Sequence, residues 1–290
     1  MSFIELNENE RDMPLFFTKI YNTSLRNELL RAIRNHWTHD STAIEGNTLT
    51  LGETDFVLSE GVTIAGKPLS HHQEVYGHAK AIDLVYGLLN KARIEQSDVF
   101  LLHQAILSER IYDIYHPVGK WKIEPNYTFY ARDDKRVEHE YPHPEVVPVL
   151  MDQWLTRANG WVERIKWPKD AVQSYSDLHA RFIAVHPFVD GNGRMARLLA
   201  NIPLLKNGFP PINIPSQERL NYLNAVAEIT SPCGDVSLEK NLDRVIDADA
   251  VNRFSVLCER WWQPILDLVD RTTEKDAKLR SKSSAPPGAG

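Results

Sequence analysis

Apolar residues recur at helical spacing along most of this chain. Phe16, Ile20, Leu25, Leu29, Ala32, Ile33 and Trp37 make a broad stripe that predicts a helix over 15–37. A short helix near 53–60 follows, then a Gly- and Pro-bounded excursion from Gly61 to Pro68. Val75, Ala79, Ile82, Val85, Tyr86 and Leu89 share one side of a predicted helix over 70–92, and another spans 97–109. Between Gly119 and Tyr141 the period shortens toward alternation, with Tyr127, Phe129 and Tyr130 ahead of Asp133-Asp134, which predicts a hairpin. Helical spacing returns at about 144–158, 169–185, 192–207, 215–229 and 250–272. Pro203, inside the 192–207 pattern, removes the hydrogen bond to Leu199 and predicts a kink. Ser281 to Gly290 is rich in Ser, Ala, Pro and Gly and predicts a disordered tail. No internal repeat is visible. The pattern as a whole is mostly α, with one β-hairpin.

One stretch carries chemistry. Residues 186–197 read His-Pro-Phe-Val-Asp-Gly-Asn-Gly-Arg-Met-Ala-Arg. The apolar stripe Ala171, Tyr175, Leu178, Phe182, Val185 predicts a helix that ends at His186, because the following Pro187 disfavours the α region there. Phe188 reads as an anchor for the loop. Gly191-Asn192-Gly193 can turn successive amides toward one point, an anion-binding nest, at the start of the next helix. Arg194 and Arg197 lie three apart, where two cations at a helix N-terminus oppose its dipole unless an anion joins them. By residue type, His186 can accept a proton from a hydroxyl, its ordinary pKa being about 6.5. Asp190 is a hard oxygen ligand for Mg²⁺ beside phosphates. Asn192 and the nest amides of Gly191 and Gly193 would hold inner phosphates, and Arg194 and Arg197 the distal ones. Asn201, Asn221 and Tyr222 are candidates for ribose or adenine contacts. A His before Pro, a Gly-Asn-Gly turn or an Arg pair is individually ordinary, but their order and spacing here are hard to produce by packing alone.

The string matches H-P-F-x-[DE]-G-N-G-R-x-x-R at every specified position, and on it the chain resembles the Fic (Fido) family. The resemblance implies a Fic-type helical bundle, with ATP as substrate and a target hydroxyl on Ser, Thr or Tyr attacking its α-phosphorus. AMP is left on the protein and pyrophosphate is released. Ser41-Thr42-Ala43-Ile44-Glu45-Gly46-Asn47 fits the family's inhibitory pattern [ST]-x-x-x-E-[GN]. That places a short inhibitory helix at about 38–47, N-terminal to the core as in class II relatives, with Glu45 paired to Arg197. The same Thr42-x-x-Glu45 also fits a capping box at a helix start. Gly119-Lys120-Trp121-Lys122 resembles the turn that introduces the family's flap, here about 119–141, over which a target segment, this chain's own included, would pair by main-chain hydrogen bonds. The implied organisation is a helical region 1–92, a Fic core 93–230, a helical extension 231–280 that matches nothing familiar, and the tail 281–290.

Other properties narrow the field. A net charge of −6 and a pI near 6.0 give no footprint for nucleic acid. No apolar run is long enough to span a bilayer, and no basic-then-apolar leader opens the chain, so a cytoplasmic location is expected. Cys233 and Cys258 are the only cysteines and read as reduced and structural. His36/His39, His71/His72/His78 and His139/His143 lack the partners of a zinc site and read as solvated. There is no P-loop, kinase set or G-x-S-x-G. Relatives that phosphorylate carry lysine where Gly193 stands, which favours adenylyl transfer. Open alternatives are another nucleotide or a phosphocholine donor, hydrolytic removal of AMP by Glu45, and a non-catalytic ATP-sensing module, with a homodimer one arrangement.

Overall fold

The computed structural model describes residues 20–107, 117–132, 135–230 and 235–283. Phe16, the Asp133-Asp134 turn, Cys233 and the tail from 284 onward lie outside the described residues.

Helix α1 (Thr23–Ile44) begins where the Asn22 side chain accepts the Leu25 N–H at 3.0 Å. It is a single 22-residue rod, so the segment from 38 forms no helix of its own but supplies the last turns of α1. The exit is a Schellman turn: Asn47 N–H donates to Thr42 O at 3.1 Å and Gly46 N–H to Ala43 O at 3.0 Å. Gly46 stands at φ 106°, a conformation other residues avoid. The Thr42 hydroxyl bonds back to Thr38 O at 2.9 Å and caps nothing. The Thr-x-x-Glu that does form a capping box is Thr50 to Glu53, opening α2 (Leu51–Glu60).

Helices α3 (Leu69–Leu88) and α4 (Gln96–Ile106) pack on each other, and α3 also on α1. Strands β1 (Tyr127–Arg132) and β2 (Lys135–Glu140) form an antiparallel hairpin with Tyr127 opposite Glu140. Next come α5 (Val147–Arg164), α6 (Pro168–Val185), α7 (Asn192–Leu199), α8 (Ile202–Lys206), a 3₁₀ turn at Ser216–Glu218, α9 (Arg219–Thr230) and α10 (Ala248–Ser283). Helix α6 is the core. Every residue from Leu178 to Val185 is buried, and the helix packs against α5, α7, α8, α9 and α10. A helix with this much buried surface is stable only when wrapped in this way, its buried Arg181 being paired with Asp177.

Three expectations change. The 192–207 helix breaks rather than kinks, and Pro203 falls in the first turn of α8, where its missing N–H has no helical partner to lose. Helix α10 runs 36 residues, so Ser281–Ser283 are helical, not tail. Its Asp276 carboxylate, fully buried, accepts from Tyr21 N–H at 3.2 Å and Asn22 N–H at 2.8 Å, tying the end of α10 to the start of α1. His72, His78 and His139 are buried rather than solvated. His72, for example, accepts the Ile64 N–H at 2.8 Å through Nε2. Cys258 is a free, buried thiol.

Candidate active site

The loop between α6 and α7 is built around one aromatic anchor. Phe188 is fully buried against Phe182, Phe100 and Trp121, and His103 stacks on it at 3.7 Å between ring centroids. His103 ties two segments together. Its Nδ1 accepts the Gly119 N–H at 2.8 Å, so its Nε2–H donates to Asp190 O at 3.0 Å. A side chain at Gly119 would collide with Gln104, which explains the glycine at φ 70°. Asn126 Nδ2 also donates to Phe188 O at 3.0 Å, and Lys122 N–H to Pro187 O at 2.8 Å. The base of the hairpin is thus fastened to the loop by one main-chain and one side-chain donor, which bind the carbonyls of Pro187 and Phe188.

His186 caps α6 in the left-handed region, φ 50° and ψ 57°, the only non-glycine among the described residues with positive φ. Strain of this kind is tolerated where surrounding structure imposes it. The ring is stacked on Tyr141 at 3.9 Å, 13° from parallel, and its Nδ1 lies 3.3 Å from Ile183 O. That carbonyl can only accept, so the proton sits on Nδ1 and Nε2 carries the lone pair. Loss of solvent, with the Lys122 ammonium close by, pushes the His186 pKa down to about 3. Lys122 is itself pushed down to about 7 by burial, against the field of Glu140. Its Nζ donates to Asn126 Oδ1 at 2.5 Å and lies 5.9 Å from the centre of the Tyr141 ring.

Asp190 is half-buried, its Oδ1 accepting the Gly191 N–H at 2.6 Å. Gly191 stands at φ 78° as the N-cap of α7. Arg194 is buried, 4.0 Å from Asp190, and its Nε has no hydrogen-bond partner among the described residues. A buried guanidinium N–H left unpaired is costly, and an incoming oxyanion would satisfy it.

Arg197 is the most heavily engaged residue of the site. Its Nε donates to Ser41 Oγ at 3.0 Å, Nη2 to Ser41 O at 2.8 Å and Glu45 Oε1 at 2.6 Å, and Nη1 to Tyr222 OH at 3.2 Å. Burial works against its charge, but the fields of Tyr222 and Glu45 and their hydrogen bonds hold its pKa above the ordinary arginine value. The end of α1 therefore brings Ser41 and Glu45 to the second signature arginine, with Gly46 making the turn that ends the helix there. The anion beside Arg197 at this helix start is, in this structure, Glu45, while Arg194 has only Asp190 nearby.

Three expected ligands are used otherwise. Asn192 is buried, with Oδ1 accepting the Phe188 N–H at 2.9 Å and Nδ2 donating to Phe188 O at 2.7 Å. Any phosphate contact from this residue would come from its backbone N–H. Asn201 is fully buried and donates to Arg197 O and Ile212 O while accepting from Ile212 N–H, so its carboxamide pins the α7–α8 break and faces no ligand. Tyr222 is buried, with its hydroxyl held between Arg197 and His179 rather than presented to a nucleobase. Asn221 is exposed and bonded to Glu218. The residue pattern did not single out His103, Asn126, Tyr141 or His179. Each reads locally as one polar or aromatic position on an apolar face, and only the tertiary contacts reveal its part.

A helix–loop–helix with base, carboxylate and paired arginines, a hairpin fastened to the loop and a glutamate closing on the second arginine define the Fic class. Residues 93–204 match the Fic/DOC family, and this stretch is a Fic-family domain. It is 31% identical over 205 residues to protein adenylyltransferase fic-1 of Caenorhabditis elegans, a stretch that is 70% of this chain and 37% of that relative. It is 32% identical over 203 residues to protein adenylyltransferase Fic of Drosophila virilis, 69% of this chain and 39% of the relative. The chain thus spans under two fifths of the length of these curated relatives. A Fic domain containing signaling protein from Bacteroides thetaiotaomicron superposes with a TM-score of 0.69 at 25% identity, covering 89% of this chain and 97% of that one.

Proposed function

We propose that this protein is an ATP-dependent protein adenylyltransferase held inactive by Glu45. The hydroxyl of a target Ser, Thr or Tyr attacks the α-phosphorus of ATP, the bond to the bridging oxygen of pyrophosphate breaks, and His186 Nε2 takes the hydroxyl proton. The observation that carries the chemistry is the His186 tautomer, with Nδ1 committed to Ile183 O and the lone pair on Nε2. The relatives named protein adenylyltransferases support the reaction class. Arg194, with its unpartnered Nε, and Arg197 would hold the distal phosphates. Asp190 fits a Mg²⁺ ligand. It is one half-buried carboxylate, and among the described residues no cluster of three His, Cys, Asp or Glu could hold a metal alone. The ion would therefore complete its shell with phosphate oxygens and water, as Mg²⁺ commonly does, and would supply charge neutralisation. The hairpin, joined to the loop at Pro187 and Phe188, is the natural dock for a target strand, one from a second copy of this chain included.

Glu45 at 2.6 Å from Arg197 occupies the cation that a γ-phosphate would use, and so the ground state is closed. Incubation of the chain and of Glu45→Gly with α-³²P- and γ-³²P-labelled ATP tests the reading. Label from the α position only, much increased in Glu45→Gly, is expected. Label from γ, or from neither in both proteins, overturns it. A second activity has a specific motive. Glu45 Oε2 takes no hydrogen bond among the described residues, and the side chain is 40% exposed. It is placed to orient a water that attacks the α-phosphorus of an adenylylated target, returning AMP and the free hydroxyl. Equal AMP release by the chain and Glu45→Gly from a pre-labelled target would exclude this.

A further inference from the structure

Arg197 takes three of its four side-chain hydrogen bonds from α1, two from Ser41 and one from Glu45. The fourth, from Nη1 to Tyr222 OH, is the one that comes from the core. The Tyr222 oxygen accepts from Arg197, so its own proton points to His179 Nε2, 3.2 Å away. His179 is fully buried on α6, and burial together with Arg197 pushes its pKa down to about 3, so it stays neutral and able to accept. The Arg197 guanidinium also lies 5.5 Å from the centre of the Tyr222 ring. Ser41 and Glu45 sit one helical turn apart on the same rod and leave together if its end moves. Tyr222 and His179 belong to α9 and α6 and do not.

We propose that Tyr222, backed by His179, is a positioning residue that keeps the Arg197 fork aimed at the nucleotide once the α1 contacts are withdrawn. It is not a nucleobase contact. The inference rests on the adenylyltransferase reading and on Glu45 as its inhibitor. Without this support a long, buried guanidinium released by α1 would search several rotamers before meeting a phosphate, and ATP affinity would carry that ordering cost.

The test is made in a His186→Ala, Glu45→Gly background, which stops turnover and opens the site, with ATP and AMP titrated at fixed Mg²⁺ by calorimetry. Adding Tyr222→Phe removes one hydroxyl and keeps the ring. The expected result is an ATP affinity about ten- to 100-fold weaker, the range for a lost hydrogen bond to a charged group, with AMP affinity unchanged. AMP lacks the distal phosphates and so reports a folded pocket that does not need Arg197. ATP affinity within twofold of the background overturns the proposal. Equal weakening of ATP and AMP overturns it too, by making Tyr222 a general pocket residue. If His186→Ala, Glu45→Gly binds ATP no better than His186→Ala alone, the inhibitory role of Glu45 fails instead, a comparison that does not involve Tyr222.

Discussion

A β-carbon on Gly193 would come within 2.4 Å of Glu45 Oε1 and 3.1 Å of Arg197 Nη1. The glycine of the signature and the glutamate at the end of α1 are thus fitted to each other, and their arrangement leaves no room for a side chain at 193. The carboxylate is the end of a flexible chain, so it yields before the helix does.

Gly193→Ala should therefore loosen Glu45 from Arg197. Glu45→Gly alone is expected to raise self-labelling five- to 150-fold, the usual range for coupled equilibria of about 1–3 kcal/mol. In a Gly193→Ala background the same change should have a markedly smaller effect. A double-mutant cycle on labelling rates measures this, and full additivity would show that the two residues do not compete for space.

His186→Ala should cut transfer by about 10²–10⁴ while ATP affinity stays within a few-fold, because the phosphates are held elsewhere. Tyr141 presents the face on which the base lies. Tyr141→Leu should lower kcat by roughly tenfold, the scale of lost orientation, with little change in KM for ATP. Tyr141→Phe keeps the ring and should keep most of the rate. Equal losses for Leu and Phe would assign Tyr141 to something other than stacking.

Acid should destabilise the fold earlier than carboxylates alone would dictate. Burial pushes His78, His179 and His186 each down to about 3, with Arg197 adding to the shift at His78 and His179 and Lys122 at His186. In the unfolded chain these rings bind protons near 6.5. Between those values the unfolded state holds more protons, so stability is complete above about pH 6.5 and declines as pH falls. The slope approaches ~1.4 kcal/mol per pH unit for each such ring. Urea midpoints at pH 7, 6 and 5 should fall steadily, and a flat profile down to pH 5 would contradict the buried, neutral histidines.

Asn192→Ala should damage the loop more than its size implies. It strips partners from the N–H and C=O of buried Phe188, though Asn126 still reaches the carbonyl. A loss of about 1–3 kcal/mol is expected from the orphaned N–H. Thermal unfolding gives the number, and a change below about 0.5 kcal/mol, typical of a surface site, would mean the loop is held mainly by its aromatic anchor.

Much of this was legible in the residues. Helices defined by long apolar stripes, such as α3 and α6, were readable because their burial is periodic. The signature loop was readable because its chemistry is local. The continuity of α1 through residue 44 was not, although the motif did pair Glu45 with Arg197. Thr38, Asp40, Ser41 and Thr42 look like a polar break, yet all are buried. Asp40 accepts from Asn213 at 2.6 Å and from Ser216 N–H at 3.2 Å, and Ser41 is taken by Arg197, partners more than 150 residues away. The break between α7 and α8 has the same cause, since Asn201 is recruited by Ile212. Polar residues satisfied over such distances carry no periodic mark. Asn201 and Tyr222 read as candidate ligands because a buried amide or phenol on a strut and one in a pocket look alike in a string of letters.

The clasp of Asp276 on Tyr21 and Asn22 sits at the opposite end of α1 from Glu45. At 1.5 Å per residue that rod is about 33 Å long. Pivoted at the clasp, a tilt of only about 5° would sweep its far tip about 3 Å, more than the whole length of the contact between Glu45 and Arg197. The C-terminal helix, lying outside the stretch that matches the family, thus grips the pivot end of the rod whose far end carries Glu45, and the firmness of that grip sets how far Glu45 travels when α1 tilts.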